Sequence, residues 1–129
     1  MTDDIITRLR EGFAKVPRPG IPPDYAAEGK LGNPGWDEFT YHSALVFAEQ
    51  IPDHVKRALD DPEVRIPDLL WHFSDSERLG VFSNRQIRLL VEALDVVEAA
   101  HPEVAAKPEV QARSQAVRST LARLLARAE

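Results

Sequence analysis

The sequence predicts a mainly α-helical fold, a single domain over residues 1–129 in which five or six helices form a bundle around a central helix at residues 84–100. Three observations support this prediction. Apolar residues recur at helical spacing in several stretches, and prolines and glycines separate those stretches. A chain of 129 residues has the size of one ordinary domain. Its composition, with 43% hydrophobic and 29% charged residues, is typical of a globular protein.

The N-terminal stretch is predicted to form a helix that Thr2 or Asp3 caps and Pro17 ends. Its apolar residues lie within one face of about 100°; they are Ile5, Ile6, Leu9, Phe13 and Val16. A long loop over residues 17–35 should follow, because five prolines and four glycines there prevent a regular element. Two interpretations of this loop stay open, an ordered wrap over the surface and a flexible connector.

The segment from Trp36 to Ile51 is predicted to be helical, because its apolar residues keep helical spacing. Residues 39–47 are also rich in aromatic and β-branched side chains, so a strand is an alternative there. Pro52 is predicted to start a separate short helix that ends before Pro62, since proline is favoured at the first position of a helix.

Two short features are predicted between this region and the central helix. Residues 63–66 should form a connector, and Pro67 should start a single turn that reaches Phe73. Ser74 and Glu77 have the spacing of a capping box, which predicts one further turn of helix.

The central helix has the clearest boundaries. Ser83 and Gln86 have the spacing of a capping box, so the helix should begin at Asn84. Phe82 and Ile87 are placed as a hydrophobic staple would require. Apolar side chains fill an arc of about 220°, which is wider than a surface helix needs, so the first, second and last helices should enclose it.

The last helix should begin at Pro108 and end near Ala128. Its stripe is narrow and interrupted by a serine; the stripe consists of Val110, Ser114, Val117, Leu121, Leu124, Leu125 and Ala128. A stripe of this width indicates packing on one side only.

Charge is distributed unevenly along the chain, whose net charge is −5. Residues 20–77 contain twelve acidic and four basic residues, a balance of −8, whereas residues 107–129 have a balance of +3. An acidic surface disfavours nucleic acid and attracts a basic protein surface. The sequence therefore predicts a basic protein partner and no nucleic acid, although charge of this size also serves simply to keep a small domain in solution.

Several function classes lack their sequence signals. The chain has no cysteine, which excludes disulfides and thiolate chemistry. It has no long apolar window and its first residues are acidic, so a cytoplasmic protein without membrane contact is predicted. Nucleophile-elbow, phosphate-loop and dinucleotide motifs are missing, and we predict no catalytic residue and no cofactor.

Each histidine follows an acid or an amide by three or four residues; the pairs are Glu38–His42, Gln50–His54, Asp68–His72 and Glu98–His101. On a helix this spacing places both groups on one face, as a metal site would need. With 21 acidic residues such pairs arise easily by chance, so local ion pairing is the favoured interpretation and no metal ligand is assigned. A small metal-dependent enzyme that uses His42, His72 or His101 is the alternative.

The cluster around Trp71 is the most site-like part of the sequence, because aromatic residues beside acids suit a basic group of a partner. The candidate partner-binding residues are Asp60, Asp61, Glu63, Trp71, His72, Asp75 and Glu77. A location in the core is nevertheless the favoured interpretation for Trp71 and Phe73, because large aromatic residues are usually core anchors.

Four segments carry a resemblance to other proteins: residues 13–20, Trp36, the Ile51-Pro52 step and residues 82–87. Together they resemble a group of small bacterial domains of unknown function. The resemblance covers about residues 5 to 100. It implies a bacterial origin and a helical fold, and it carries no activity.

The function predicted from these observations is a non-enzymatic, acidic protein-binding module of the immunity or antitoxin kind, which neutralises a basic partner. One alternative is the metal-dependent enzyme described above. Another is a structural subunit that self-associates, for example as a homodimer, through the last helix.

Overall fold

The computed structural model describes residues 2–16 and 34–126, apart from the side chains of residues 2, 3, 34–40, 76 and 77. The helices in these ranges are α1 (Thr2–Gly12), α2 (Pro34–Asp60), α3 (Pro62–His72), α4 (Ser76–Leu79), α5 (Asn84–Ala100), α6 (Pro102–Ala105) and α7 (Pro108–Leu125). The described residues contain no strand, which confirms the mainly α-helical bundle and shows residues 39–47 to be helical. The loop predicted over residues 17–35 lies outside the described residues, except for Pro34 and Gly35, which belong to α2.

The central helix α5 packs against α1, α2 and α7, as predicted. Its buried apolar side chains repeat every three or four residues; they are Ile87, Leu90, Ala93, Leu94 and Val97. The buried stripe is narrower than the predicted arc, because Leu89, Val91 and Val96 are only half-buried and Ala100 is exposed. The neighbouring helices therefore leave part of α5 in contact with solvent.

The second helix is continuous through Pro52, so the prediction of a separate helix starting there is wrong. Pro52 has no N–H to donate to the carbonyl of Ala48, which removes one hydrogen bond from the helix. The buried stripe nevertheless continues without a change of period from Ala48 through Ile51 to Val55. Burial of these side chains outweighs the loss of one backbone hydrogen bond, whose net value is about 1 kcal/mol.

The third helix is also continuous, so the connector predicted over residues 63–66 and the new start at Pro67 are both wrong. Pro62 occupies the first turn of α3, where a missing N–H has no consequence. Pro67 lies one turn later, opposite the carbonyl of Glu63 in the first turn of the helix. Glu63 is exposed, so water can bond to the carbonyl that Pro67 leaves without a donor.

The two predicted capping boxes have different outcomes. At α5 the box is present: the Ser83 side chain accepts a hydrogen bond from the N–H of Gln86, and the Gln86 side chain accepts one from the N–H of Ser83. At α4 the Asp75 carboxylate accepts from the N–H of Arg78 at 3.3 Å, whereas the Ser74 hydroxyl donates to the carbonyl of Trp71 at 2.5 Å. Asp75 is therefore the capping residue of α4, and Ser74 closes the end of α3 instead.

A polar network joins α5 to α7 at Ser114, the residue that interrupts the apolar stripe of α7. The buried Ser114 hydroxyl donates to Glu98 at 2.5 Å. Arg118 donates to the second oxygen of Glu98 at 3.1 Å and to Asp95 at 2.8 Å. The two helices are therefore linked by polar contacts as well as by apolar packing, because Ser114 and Arg118 both donate to Glu98.

Among the helices described here, none is both long and apolar enough to cross a lipid bilayer.

Candidate functional site

The outward side of α3 exposes two large apolar side chains. Val64 is 61% exposed and Trp71 is 63% exposed. Seven residues make nearly two helical turns, so these side chains lie within about 20° of each other around the helix axis. We call Val64, Pro67, Asp68 and Trp71 the α3 outer face; Pro67 and Asp68 between the two ends are half-buried.

The position of Trp71 contradicts the favoured prediction that it anchors the core. Leu69 and Leu70 take the inner side of α3 and are each 1% exposed, which turns the next residue outward. Phe73 is completely buried, so the same prediction is confirmed for that residue.

A groove runs beside the α3 outer face, between α3 and α7. A cavity of about 380 Å³ is bounded by Leu70, Trp71 and Ser74 on one side and by Arg113, Ala116, Val117 and Thr120 on the other. A smaller cavity of about 210 Å³ lies toward the start of α3 and shares Arg113 with the first. Trp71 therefore forms part of the wall of an extended surface groove.

The predicted acidic residues lie at both ends of α3, which is about 16 Å long. Asp60 and Asp61 are exposed at the turn between α2 and α3, and neither has an ion-pair partner among the described residues. Glu63 forms an ion pair with Lys107 of the groove at 3.1 Å. Asp75, beyond the far end, is 3.8 Å from Arg78. The side chain of Glu77, the remaining predicted residue, lies outside the described part of the chain.

His72 does not belong to the α3 outer face. Its ring turns toward α2, where it stacks on His54 with the ring centroids 4.2 Å apart. Its Nε2 atom lies 3.7 Å from a carboxylate oxygen of Asp68. The predicted Asp68–His72 pair is therefore present at the border of the α3 outer face, where the ring centroid of His72 lies 5.2 Å from that of Trp71.

The predicted Glu98–His101 pair does not form, because the two side chains have different partners. Glu98 bonds to Ser114 and Arg118, whereas the Nε2 atom of His101 lies 2.7 Å from the carbonyl oxygen of Leu59. His101 therefore links α5 to the end of α2. His42 is exposed, and the side chain of Glu38 lies outside the described residues.

His54 is the histidine whose protonation should affect stability. Burial, followed by the charge of His72, lowers the pKa of His54 below its usual value. In the unfolded chain the ring takes up a proton near pH 6.5, so the unfolded state binds more protons just below that pH. We expect the free energy of unfolding to fall as the pH drops from about 6.5 toward the folded-state pKa.

Urea denaturation at several pH values, in buffer with EDTA so that no metal competes with protons, measures this effect. The variant His54→Gln should show a flatter dependence on pH over that range. The matched control His42→Gln alters an exposed histidine of the same helix and should keep the wild-type dependence. An equally steep dependence in His54→Gln would contradict the assignment.

A cavity of about 500 Å³ lies between α1 and α5 and was not predicted. Four cations contribute to its wall: Arg8, Lys15, Arg85 and Arg88. Glu11 and Glu92 lie among them, and Arg8 forms an ion pair with Glu92. The two acidic residues offset two of the four cations, so the wall keeps a net balance of +2.

Comparisons of the chain with protein-family models, with curated proteins and with solved structures gave no match.

Proposed function

We propose that the protein is a non-enzymatic binding module that holds a basic protein against the α3 outer face. The observation that carries this proposal is the exposure of Trp71, which lies beside a groove and has an exposed valine on the same side of the helix. Tryptophan is enriched among the residues that dominate binding energy at interfaces. An exposed apolar patch with a polar border is typical of a protein-binding surface.

The exposed acidic residues beside the α3 outer face support a basic partner. Asp60 and Asp61 present two carboxylates without ion-pair partners among the described residues, directly before α3. The groove itself is balanced, because Glu63 and Glu109 lie among Lys107 and Arg113. The excess negative charge therefore lies at the border of the apolar patch, where it speeds association with a basic surface and excludes acidic ones.

A role in neutralising a basic toxin or effector would suit this arrangement. The apolar patch supplies affinity that salt does not remove, and the exposed carboxylates supply a contribution that salt weakens. Binding should therefore decrease at high ionic strength without being abolished.

The test uses the whole chain as bait in extracts of the cells that produce it, followed by affinity measurement with the purified partner. Trp71→Ala should weaken binding by about 2 kcal/mol or more, roughly 30-fold in Kd, because a large buried contact is removed from the interface. Asp60→Asn combined with Asp61→Asn should mainly slow association and reduce its dependence on salt.

Val46→Ala is the matched control, because Val46 is also exposed, at 56%, but lies on α2. It should bind like the wild type. A partner that is acidic, or that binds Trp71→Ala and the wild type equally well, would contradict the proposal.

The homodimer stays a prediction, and the structure changes which surface should be tested for it. The apolar stripe of α7 is used within the chain, since Val110, Val117 and Leu121 are buried. Self-association should therefore use the α3 outer face if it occurs. Light scattering that gives the same mass for Trp71→Ala as for a dimeric wild type would rule that face out as the dimer interface.

A further inference from the structure

Three potential metal ligands meet where α2 packs on α3. His54 comes from α2, and Asp68 and His72 come from α3, one turn apart. One ligand atom of each residue lies within 4.8 Å of the others, and the Nε2 atom of His72 is 3.7 Å from an oxygen of Asp68. We propose that these three residues bind one Zn²⁺ ion.

The separations require only a small rearrangement. Zinc bonds to imidazole nitrogen and carboxylate oxygen are about 2.0–2.2 Å long, so ligand atoms in a tetrahedral site are about 3.4 Å apart. The two histidine rings stack with an angle of 29° between their planes, so one ring must turn for both to direct a nitrogen at the same ion. The proposal assigns this rotation to the half-buried His72 side chain.

The ligand types select the metal. Two imidazoles and one carboxylate suit Zn²⁺ and similar transition ions, whereas Ca²⁺ and Mg²⁺ prefer oxygen ligands. Three protein ligands leave a fourth position for water. The ring of Phe47 lies 6.3 Å from that of His54 and 6.2 Å from that of His72, and it forms an apolar wall beside the cluster.

An unsatisfied atom provides independent support. The Nε2 atom of His54 is buried and has no hydrogen-bond partner. Buried polar atoms nearly always have a partner, and coordination to a metal would supply one. The lowered pKa of His54 also keeps its ring neutral at neutral pH, which is the form that binds metal.

Nearby cations limit the expected affinity. Arg65 lies 3.8 Å from the second oxygen of Asp68 and would compete with a metal ion for this carboxylate. Arg78 donates a hydrogen bond to the carbonyl of His72, and the charge of Arg57 acts on His54. We therefore expect weaker binding than in structural zinc sites that have four protein ligands.

Titration calorimetry of the untagged, EDTA-treated and dialysed protein with Zn²⁺ tests the proposal. We expect one ion per chain. Asp68→Asn and His72→Gln should each weaken binding more than about 10-fold, since even partners outside the ligand shell change metal affinity by about 10-fold or more. His42→Gln, which alters the exposed histidine of α2, should bind zinc like the wild type.

Absorption of bound Co²⁺ in the visible range provides a second readout, because its intensity distinguishes four-coordinate from six-coordinate metal. Asp68→Asn keeps the size of a half-buried side chain, so its circular dichroism should match that of the wild type and a loss of binding would not reflect unfolding. The proposal is overturned if the wild type takes up no zinc at millimolar concentration. It is equally overturned if Asp68→Asn and His72→Gln bind as well as His42→Gln.

Discussion

Replacing Gln86 with glutamate is expected to destabilise the fold by about 3 kcal/mol or more at neutral pH, because two backbone carbonyls would lose their donor and a buried carboxylate would take its place. Gln86 is 4% exposed. Its side-chain amide nitrogen donates to the carbonyl of Gly12 at 3.0 Å and to that of Lys15 at 2.9 Å, so this residue closes the end of α1 against the start of α5. A carboxylate in its place would face both carbonyl oxygens and repel them.

The pH dependence of Gln86→Glu identifies the cause of its instability. The new carboxyl group should have a raised pKa in the folded state, because burial and the two carbonyls disfavour its charged form. The loss of stability relative to wild type should therefore be smallest below about pH 4.3, the pKa expected in the unfolded chain, and should grow as the pH rises. Gln111→Glu makes the same change at an exposed position of α7 and should stay within about 0.5 kcal/mol of wild type. A deficit of Gln86→Glu that does not vary with pH would show that the carbonyls do not face the new charge.

Much of the bundle follows from local sequence. The start of α5 was predictable because Ser83 and Gln86 satisfy each other's backbone groups without help from the rest of the chain. The errors at Pro52 and Pro67 have a common cause: proline favours the start of a helix, but continued burial of the apolar stripe can keep a helix intact past it. That burial depends on tertiary packing, which spacing alone does not reveal.

The error at Trp71 follows from the error at Pro67. A single turn starting at Pro67 suggests that all the apolar residues after it are needed for the core. A helix that starts at Pro62 instead places Leu69 and Leu70 inside and Trp71 outside with Val64. Helical spacing would therefore have predicted the α3 outer face if the helix had been predicted to start at Pro62.

The cluster of three potential metal ligands was only partly predictable. The Asp68–His72 pair follows from its spacing within one helix. The approach of His54, which is 18 residues earlier than His72, depends on how α2 and α3 pack. Residue spacing within one helix does not predict how two helices pack, so the three ligands could not be assigned together from sequence.

Truncating Phe47 should test the packing that joins the core to this cluster. Phe47 is 1% exposed, and its ring centroid lies 6.0 Å from that of Phe73 and 6.3 Å from that of Phe82. The guanidinium of Arg78 lies 4.0 Å from the centre of the same ring. Phe47→Ala should therefore lower the free energy of unfolding by about 3–5 kcal/mol, because it leaves a cavity under two aromatic rings.

Val46→Ala is the neighbouring control for Phe47→Ala, because both changes shorten a side chain at nearly the same place on α2. Val46 is 56% exposed, so its truncation should change stability by no more than about 0.5 kcal/mol. In thermal denaturation, Phe47→Ala should melt on the order of 10 °C or more below the wild type, and Val46→Ala close to it. Similar melting temperatures for the two variants would mean that α2 is rotated relative to the core, which would also separate His54 from His72.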